Sequence, residues 1–525
     1  MFIDSPDYVF RNNVQDGFVD KSGLISFLNT QFGGENRFVL VSRPRRFGKT
    51  MAIRMLNAYY SKRLNTKEIF DKLVVSKSPS YKEHLNQHNV LYIDMQFFAQ
   101  SEDLEGKNFI SNLTRGVCEE LKKLYLNVLS NEPCTNIKDA LVKIYSETSQ
   151  RFIILIDEWD YALRVFKNQK ITEAYIDLLR ELFKSQASDC IELAYMTGIL
   201  PIKRYNSQSD LNNFNEYTMI EPSALAPYFG FTTSEVQMLC QKYNLPFDTT
   251  QKWYDGYKLN GFEIYNPRAI MRLCASKNFV SYWTQTGSMD VITDVLKFDL
   301  YNVRADLLNL YEGNEISSVN FNNFNCDVSE LNSRDAIITF LVHLGYLAFD
   351  AGKKSIYIPN QEIRIEIKET LKKDKYPAFM QKYQDSLKLI KDINESNAEA
   401  VARYIEKLHN QVTSIIRYNN EDGLRYVLLT AMYAADEYYQ VPKQEYPSGK
   451  GFADLVFIPK HGFEKQYATI VIELKWNQSA NTALEQIKER NFTQDLEGTS
   501  DAILLVGINY DTKNKIHSCE IEAMI

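Results

Sequence analysis

The sequence is poor in cysteine, and its cysteines lie far apart. Seven Cys occur among 525 residues, and no two of them have the Cys-x-x-Cys spacing. An odd number of scattered cysteines argues against a disulfide framework and against a Cys-based zinc site. We therefore expect the protein to function in a reducing cytoplasm.

Long apolar runs, internal repeats and low-complexity segments are also absent. The N-terminal segment, MFIDSPDYVF, has acidic residues where a signal peptide needs a basic flank. No stretch approaches the roughly 18 uninterrupted apolar residues of a membrane span. We expect a soluble, unsecreted chain without a membrane partner, and the lack of a repeat disfavours solenoids and propellers.

The chain as a whole has no excess of positive charge. Sixty Lys and Arg residues against 67 Asp and Glu give a formal net charge of −7. This balance excludes a uniformly basic nucleic-acid-binding coat but leaves room for a local basic site. The 45% hydrophobic residues allow large cores, and about 150 residues per domain predict roughly three to four folding units.

The order of apolar runs predicts three regions. Between residues 37 and 166, short apolar runs alternate with segments of helical spacing, which is the pattern of a parallel α/β sheet. We assign this first domain to residues 1–228 and a mostly helical middle region to residues 229–390. Strand-like runs return near the C-terminus and predict a second, smaller α/β domain over residues 391–525.

A candidate phosphate-binding loop follows the first predicted strand. The string from Arg43 to Thr50, RPRRFGKT, is followed by a segment of helical spacing. Gly48 allows close approach of a phosphate, Lys49 can reach the β- and γ-phosphates of ATP, and Thr50 can hold Mg²⁺; Arg46 adds positive charge. Arg43 departs from the strict pattern, which has glycine there, so a chance GKT in a basic turn is the alternative.

A later strand carries the residues that would complete an ATP site. The apolar run from Phe152 ends in Asp157 and Glu158, of which the first can hold Mg²⁺ and the second can polarise the attacking water. Thr197, at the end of the next strand, is a candidate for sensing the γ-phosphate, and Arg204 is a weaker candidate for stabilising charge. A surface turn is the alternative for both.

A second group of charged residues lies in the predicted C-terminal domain. Asp454 is in one strand, and Glu473 and Lys475 are two residues apart in the next, so the latter two share a strand face. Two carboxylates and an ammonium suit a Mg²⁺ site for phosphodiester cleavage. Gln486 and Glu421, on flanking helices, can complete it. The alternative is an edge hairpin with solvated charges.

Two other features have structural rather than functional interpretations. The aromatic residues of the middle region, such as Trp253 and Tyr254, could stack on bases, but aromatics at helix and turn positions more often form a core. His84 and His88 are four residues apart, yet they lack the acidic residue of a zinc-binding HExxH pattern. We favour a core and a helix surface, respectively.

Several strings together resemble one family of bacterial proteins, the AAA-ATPase-like proteins that carry a PD-(D/E)XK nuclease-like domain at the C-terminus. The N-terminal strings that carry the resemblance are Phe18-Val19-Asp20-Lys21, RPRRFGKT at 43–50, Thr197-Gly198, Leu211-Asn212-Asn213, and WYDGY at 253–257 with Tyr265-Asn266-Pro267. The C-terminal match comprises Gly451, Asp454, Glu473, Lys475 and Gln486-Ile487, and Phe452 replaces the arginine of the family pattern.

The resemblance implies an AAA-like P-loop domain, a helical middle region and a small restriction-endonuclease-like domain. It implies ATP and Mg²⁺ as ligands and DNA or RNA as the partner, with a nucleotide-dependent nuclease as the leading function. A nucleotide-controlled switch that binds nucleic acid or a protein without cleavage is the alternative, and an ATPase acting on protein partners is a third hypothesis. A homo-oligomer stays open.

Overall fold

The computed structural model describes residues 8–15, 18–99, 105–129, 134–166, 168–202, 211–283, 303–317, 319–321, 324, 331, 333–373, 377–412, 421–432, 434–440 and 442–524. These residues form two compact units, Met1–Thr370 and Leu371–Ile525. Among the described helices, none is long and apolar enough to cross a membrane.

The first unit is built on a five-stranded parallel sheet, as predicted. Its strands, in chain order, are β1 (Phe38–Ser42), β2 (Asn89–Asp94), β3 (Phe152–Asp157), β4 (Ile191–Gly198) and β5 (Asn215–Tyr217). The spatial order is β2-β3-β4-β1-β5, and every neighbouring pair is parallel. The first and third strands are buried along their whole length, because helices cover both faces of the sheet.

Two hydrophobic cores lie on the opposite faces of this sheet. Alternate residues of one strand serve different cores: Leu40 contributes to one, and Val39 and Val41 contribute to the other. The covering helices are α1 (Tyr8–Gln15), α2 (Gly23–Asn29), α3 (Lys49–Tyr60), α4 (Lys67–Phe70), α5 (Tyr81–His84), α6 (Met95–Ala99), α7 (Phe109–Leu124), α8 (Leu126–Leu129), α9 (Ile137–Thr148), α10 (Tyr161–Val165) and α11 (Gln169–Lys184).

The middle region is mainly helical, as predicted, with two small antiparallel sheets that were not predicted. Its helices are α12 (Thr233–Tyr243), α13 (Phe247–Tyr254), α14 (Pro267–Ser276), α15 (Val303–Tyr311), α16 (Arg334–Leu344) and α17 (Gln361–Lys373). The small sheets comprise β6 (Phe231–Thr232), β7 (Tyr257–Leu259) and β8 (Phe262–Tyr265), and β9 (Ile316–Ser317), β10 (Ala348–Asp350) and β11 (Ser355–Tyr357). Their strands are only two to four residues long, which is too short for a clear alternation of apolar residues.

The second unit is a five-stranded mixed sheet with helices, in keeping with the strand-like runs near the C-terminus. Its elements are α18 (Pro377–Asn394), α19 (Ala398–Val412), α20 (Glu421–Ala431), β12 (Lys443–Ser448), β13 (Gly451–Phe457), β14 (Thr469–Trp476), α21 (Ala480–Glu489), β15 (Ile503–Asp511) and β16 (Ile516–Met524). The strands are ordered β12-β13-β14-β15-β16, and only β14 and β15 pair in parallel. The two edge strands escaped prediction because most of their residues are at least partly exposed and polar residues interrupt their apolar ones.

Candidate active sites

The loop between β1 and α3 has the backbone conformation of a phosphate-binding turn. Gly48 immediately precedes α3 and has φ of 90°, a left-handed conformation that favours glycine. A Cβ atom at this position would have nothing within 4 Å, so open space adjoins the helix N-terminus. Free N–H groups and the helix dipole favour an anion there.

Arg43 has a structural position that explains its departure from the strict motif. The side chain is fully buried, and its Nη1 donates to the main-chain oxygens of Ser42 and Tyr217, each at 2.8 Å. Its guanidinium lies 5.5 Å from the ring centroid of Phe229. Burial lowers the pKa of Arg43 to about 9. Arg43 therefore ties β1 to β5 and does not face a phosphate.

Lys49 is held by the loop itself. Its Nζ donates to the main-chain oxygens of Arg43 and Pro44, each at 3.0 Å. Burial lowers the pKa of Lys49, while the neighbouring carboxylates, led by Glu158, raise it. The ammonium group is thus paired with neutral carbonyl oxygens, which a phosphate oxygen can replace with a stronger charged hydrogen bond.

Asp157 and Thr50 meet at the carboxyl edge of the sheet. Asp157 is 1% exposed, and its pKa is raised to about 7 by burial and by Glu158, while a hydrogen bond with Thr50 opposes this shift. Asp94, which the sequence analysis missed, lies directly beside Asp157 in the β2–β3 register. Its position at the end of an apolar strand was the available signal.

Glu158 forms an ion pair that the sequence analysis also missed. Its Oε2 accepts a hydrogen bond from Arg164 Nη2 at 2.6 Å. Arg164 Nε also donates to Asp160 at 3.0 Å, and Asp160 Oδ2 accepts the N–H groups of Ile199 and Leu200. This network joins the predicted general base to the segment after β4. The i, i+4 spacing of Asp160 and Arg164 was the sequence signal.

Thr197 lies near these carboxylates, and its hydroxyl is buried. The residue is buried at the end of β4, beside Val41 of β1. Within the described part of the chain, its Oγ1 has no hydrogen-bond partner. The role of Thr197 as a phosphate sensor therefore stays a prediction. Arg204, the weaker candidate, lies outside the described residues.

A cavity of about 840 Å³ adjoins the loop. Its lining includes Lys49, Thr50, Glu158 and four arginines, among them Arg46 and Arg268. Burial lowers the pKa of Arg46 to about 10, and the charge of Arg268 adds to this effect. Arg268 was missed, although it follows the Tyr265-Asn266-Pro267 string. Asn266 caps α14 by accepting the Arg268 N–H at 2.9 Å, which fixes the first turn at the cavity.

In the second unit, Asp454 and Glu473 come together where β13 and β14 diverge. The paired register of the two strands ends at Leu455 and Ile472. Beyond it, Asp454 Oδ2 accepts the main-chain N–H of Leu474 at 2.8 Å, so a side chain replaces the strand partner. This local opening of the sheet places the Asp454 carboxylate next to Glu473.

Glu473 is hydrogen-bonded to two of the other predicted residues, Lys475 and Gln486. Its Oε1 accepts hydrogen bonds from Lys475 Nζ at 3.0 Å and from Gln486 Nε2. Burial and the charge of Asp454 raise the pKa of Glu473 to about 7. Glu473 Oε2 is buried and accepts no hydrogen bond from any described residue. Asp454, Glu473, Lys475 and Gln486 therefore form one cluster.

Glu421 does not join this cluster, and an arginine from the same helix does. In the described ranges, no group of three or more His, Cys, Asp or Glu side chains is placed to hold a metal ion. One turn after Glu421, Arg425 Nη2 donates to Asp454 Oδ1 at 2.7 Å. Its Nη1 is 3.3 Å from both Asp422 and Glu445. No sequence pattern singled out Arg425.

The donor atoms at both sites suit Mg²⁺, which prefers oxygen ligands. Thr50 and Asp157 share a hydrogen bond at the phosphate loop, so an alcohol and a carboxylate oxygen are adjacent there. In the second unit, the unpartnered Glu473 Oε2 lies in a cluster with Asp454. These residues would hold the ion at each site.

Comparisons with known proteins agree with this division of the chain. Residues 9–206 match a family model described as "Predicted AAA-ATPase", and residues 420–520 match one described as "PD-(D/E)XK nuclease superfamily". The two matches confirm the resemblance expected from the sequence. They also support the fold class, with an ATPase-like sheet at the N-terminus and a nuclease-like domain at the C-terminus.

Individual relatives are more distant. An "Uncharacterized protein in vnfD 5′region" of Azotobacter chroococcum mcd 1 is 26% identical over 286 residues, which cover 53% of this chain. The chain spans 52%, about half, of the length of that curated relative.

Two solved structures are similar at low scores. The AMPPCP-bound DnaA of Aquifex aeolicus has a TM-score of 0.25 and 11% identity, covering 72% of this chain and 92% of its own. The ORC2 protein of Aeropyrum pernix has a TM-score of 0.30 and 10% identity, covering 69% of this chain and 97% of its own. TM-scores this low support no conclusion about the fold beyond the strand order described above.

Proposed function

We propose that this chain, which joins an AAA-ATPase-like region to a PD-(D/E)XK nuclease-like region, is an ATP hydrolase. Its nucleotide state controls a Mg²⁺-dependent nuclease that acts on DNA or RNA. The observation that carries the ATPase half is the placement of Lys49, Thr50 and Glu158 around one cavity, with Asp157 beside Thr50. The clustering of Asp454, Glu473, Lys475 and Gln486 supports the nuclease half.

At the phosphate loop, each residue has a distinct task. Lys49 exchanges the carbonyl oxygens of the loop for phosphate oxygens of ATP, and Thr50 and Asp157 would hold Mg²⁺. The ion, when bound, neutralises charge on the phosphates. Arg268 and Arg46, which line the same cavity, add positive charge toward the same anion.

Hydrolysis requires a base that is free to polarise water. Glu158 is paired with Arg164 at 2.6 Å, so one of its carboxylate oxygens is engaged by a guanidinium instead of a water molecule. Arg164 also lines the nucleotide cavity. We assign to Arg164 a restraining role, in which attraction to a bound phosphate draws it away and releases Glu158.

In the second unit, Asp454 and Glu473 would hold Mg²⁺, and Lys475 and Gln486 would orient the attacking water. The ion, when bound, activates that water and stabilises charge on the phosphodiester. Lys475 already lies 3.0 Å from Glu473 and is only 9% exposed, so its ammonium is held within the cluster.

A second candidate function is supported by one contact. Arg425 neutralises Asp454, and a carboxylate in a buried ion pair is less available to a metal ion. This favours a switch in which the C-terminal domain binds nucleic acid or a protein without cleaving it.

The nuclease half is tested by incubating the purified protein with single- and double-stranded DNA and RNA. The reactions contain Mg²⁺ or Mn²⁺, with and without ATP. We expect metal-dependent cleavage that Glu473→Ala reduces by at least about 100-fold, since it removes a ligand and the partner of Lys475. An equal rate in that variant would assign the cleavage elsewhere. No cleavage under any condition would favour the binding switch.

The ATPase half is tested separately with Glu158→Gln. The amide keeps the size of the side chain but loses its basicity, so we expect unchanged ATP binding and a turnover lower by about 100-fold or more. Glu173→Gln, at an exposed position of α11, serves as the matched control and should hydrolyse ATP normally. Normal turnover in Glu158→Gln would move the role of base to another residue.

A further inference from the structure

The guanidinium group of Arg425 takes the place of a cation in the nuclease-like site. Arg425 belongs to α20 and reaches Asp454 Oδ1 at 2.7 Å. The other oxygen of Asp454 accepts the N–H of Leu474. Each carboxylate oxygen therefore already accepts one hydrogen bond, and a metal ion bound to Oδ1 would lie close to the positive charge of Arg425, which repels it.

Burial distinguishes the strong contact of Arg425 from its weaker ones. The side chains of Arg425 and Asp454 are 16% and 15% exposed, whereas those of Asp422 and Glu445 are 75% and 72% exposed. Water screens the two exposed carboxylates, so the partly buried pair with Asp454 provides most of the attraction.

The local charges also oppose simultaneous binding of Arg425 and a divalent cation. Two cationic side chains, Arg425 and Lys475, already face two carboxylates, Asp454 and Glu473. A divalent ion added to this balanced group would leave a large positive excess in a buried cluster, which is unfavourable. Removal of one guanidinium reduces that excess.

Asp422 and Glu445 offer the displaced side chain a second position. Each lies 3.3 Å from Arg425 Nη1, so the guanidinium can leave Asp454 and keep two ionic partners. A rotation of one side chain thus exchanges Arg425 for a metal ion without exposing an unpaired buried charge.

We propose that Arg425 competes with the divalent cation for Asp454 and thereby sets the affinity of this site for metal. The inference rests on the proposed function because it concerns the same carboxylates. It requires metal binding only, so a protein that binds metal but cleaves nothing would refute the proposed nuclease and leave the competition intact.

The test is calorimetric titration of the full-length, nucleotide-free protein with Mn²⁺ and with Mg²⁺. Every variant also carries Asp157→Asn, which removes the predicted Mg²⁺ ligand of the phosphate loop. Arg425→Gln should bind metal at least about tenfold more tightly than the parent, the order of one charged hydrogen bond. Arg425→Lys should stay close to the parent, and Asp454→Asn should not bind.

Two further variants separate competition from a general structural effect. Asp422→Asn combined with Glu445→Gln removes the second position of the guanidinium and should weaken metal binding. Arg403→Gln changes an exposed arginine of α19 that faces Glu399 at 3.9 Å and should change nothing. Equal or weaker binding by Arg425→Gln would overturn the proposal, as would the absence of binding in both the parent and Arg425→Gln.

Discussion

Arg43 shows how a single residue can depart from a motif without disturbing the site. Its buried guanidinium donates hydrogen bonds to the main-chain oxygens of Ser42 and Tyr217. The side chain therefore stabilises the loop without facing the phosphate position. Gly48, Lys49 and the open space beside them keep the positions that a phosphate needs. The loop can therefore keep a phosphate-binding conformation without the first glycine of the strict pattern.

Restoring the consensus glycine should harm this protein. Arg43→Gly removes a fully buried side chain and its hydrogen bonds to two carbonyl oxygens, which should destabilise the first unit by at least about 3 kcal/mol. Thermal unfolding followed by circular dichroism measures the loss. Arg45→Gly, at the exposed neighbouring position, is the control. A melting temperature equal to that of the wild type would contradict the structural role of Arg43.

Among the secondary-structure elements, the WYDGY string serves packing rather than base stacking. Gly256 has φ of 114°, and a Cβ atom there would lie 1.9 Å from the carbonyl oxygen of Pro359, so only glycine fits. The Tyr257 hydroxyl donates to Gly345 at 2.6 Å, and its ring meets Phe47 of the phosphate loop edge-on at 5.2 Å. The expected aromatic core therefore supports the loop.

A pair of buried histidines joins two elements of the second unit. Nδ1 of His409, in α19, lies 3.1 Å from Nε2 of His517, in β16. Burial and the neighbouring His409 lower the pKa of His517 to about 4, and burial lowers that of His409. The neutral pair thus adds stability above the ordinary pKa of 6.5, and this contribution is lost as the pH falls toward 4.

This linkage predicts an acid-sensitive contact between α19 and β16. Hydrogen exchange of a peptide covering β16 should be faster at pH 5 than at pH 7 by at least about tenfold, after correction for the intrinsic rate. His517→Gln should reduce that difference, whereas His461→Gln, at a fully exposed turn position, should keep it. Equal corrected rates at the two pH values would refute the prediction.

For the whole molecule, the proposed function requires that the nucleotide state of the first unit affects the second. Lys49→Ala should lower ATP affinity by about 100-fold or more, since a buried charged contact is lost. Nucleic-acid binding without ATP should be unchanged in this variant, and the effect of added ATP should disappear. Fluorescence anisotropy of a labelled oligonucleotide measures both quantities.

The control and the two contrary outcomes distinguish ATP binding from the effect of ATP on nucleic-acid binding. Lys67→Ala, an exposed lysine 2.5 Å from Asp71, is the control and should respond to ATP as the wild type does. Unchanged ATP affinity in Lys49→Ala would remove the phosphate-loop assignment. An ATP effect that persists although ATP binding is lost would separate the two halves of the proposal.

The sequence by itself determined the order of the main strands along the chain and the motifs that contain the candidate site residues. Apolar runs predict β1, β2, β3 and β4 because a fully buried strand is a short, continuous run of apolar residues, and Lys49 or Asp157 is recognised by its position at a strand end. These are local properties of the chain. They were sufficient for the parallel sheet, the helical middle region and the resemblance to both families.

The tertiary structure alone decided which distant residues meet. Arg268 lines the cavity beside the phosphate loop, and Arg425, from the same helix as Glu421, contacts Asp454. An arginine side chain is long and its direction depends on packing, so its partner is not encoded in the nearby sequence. The carboxylates were therefore predictable, and the arginines that hold them were not.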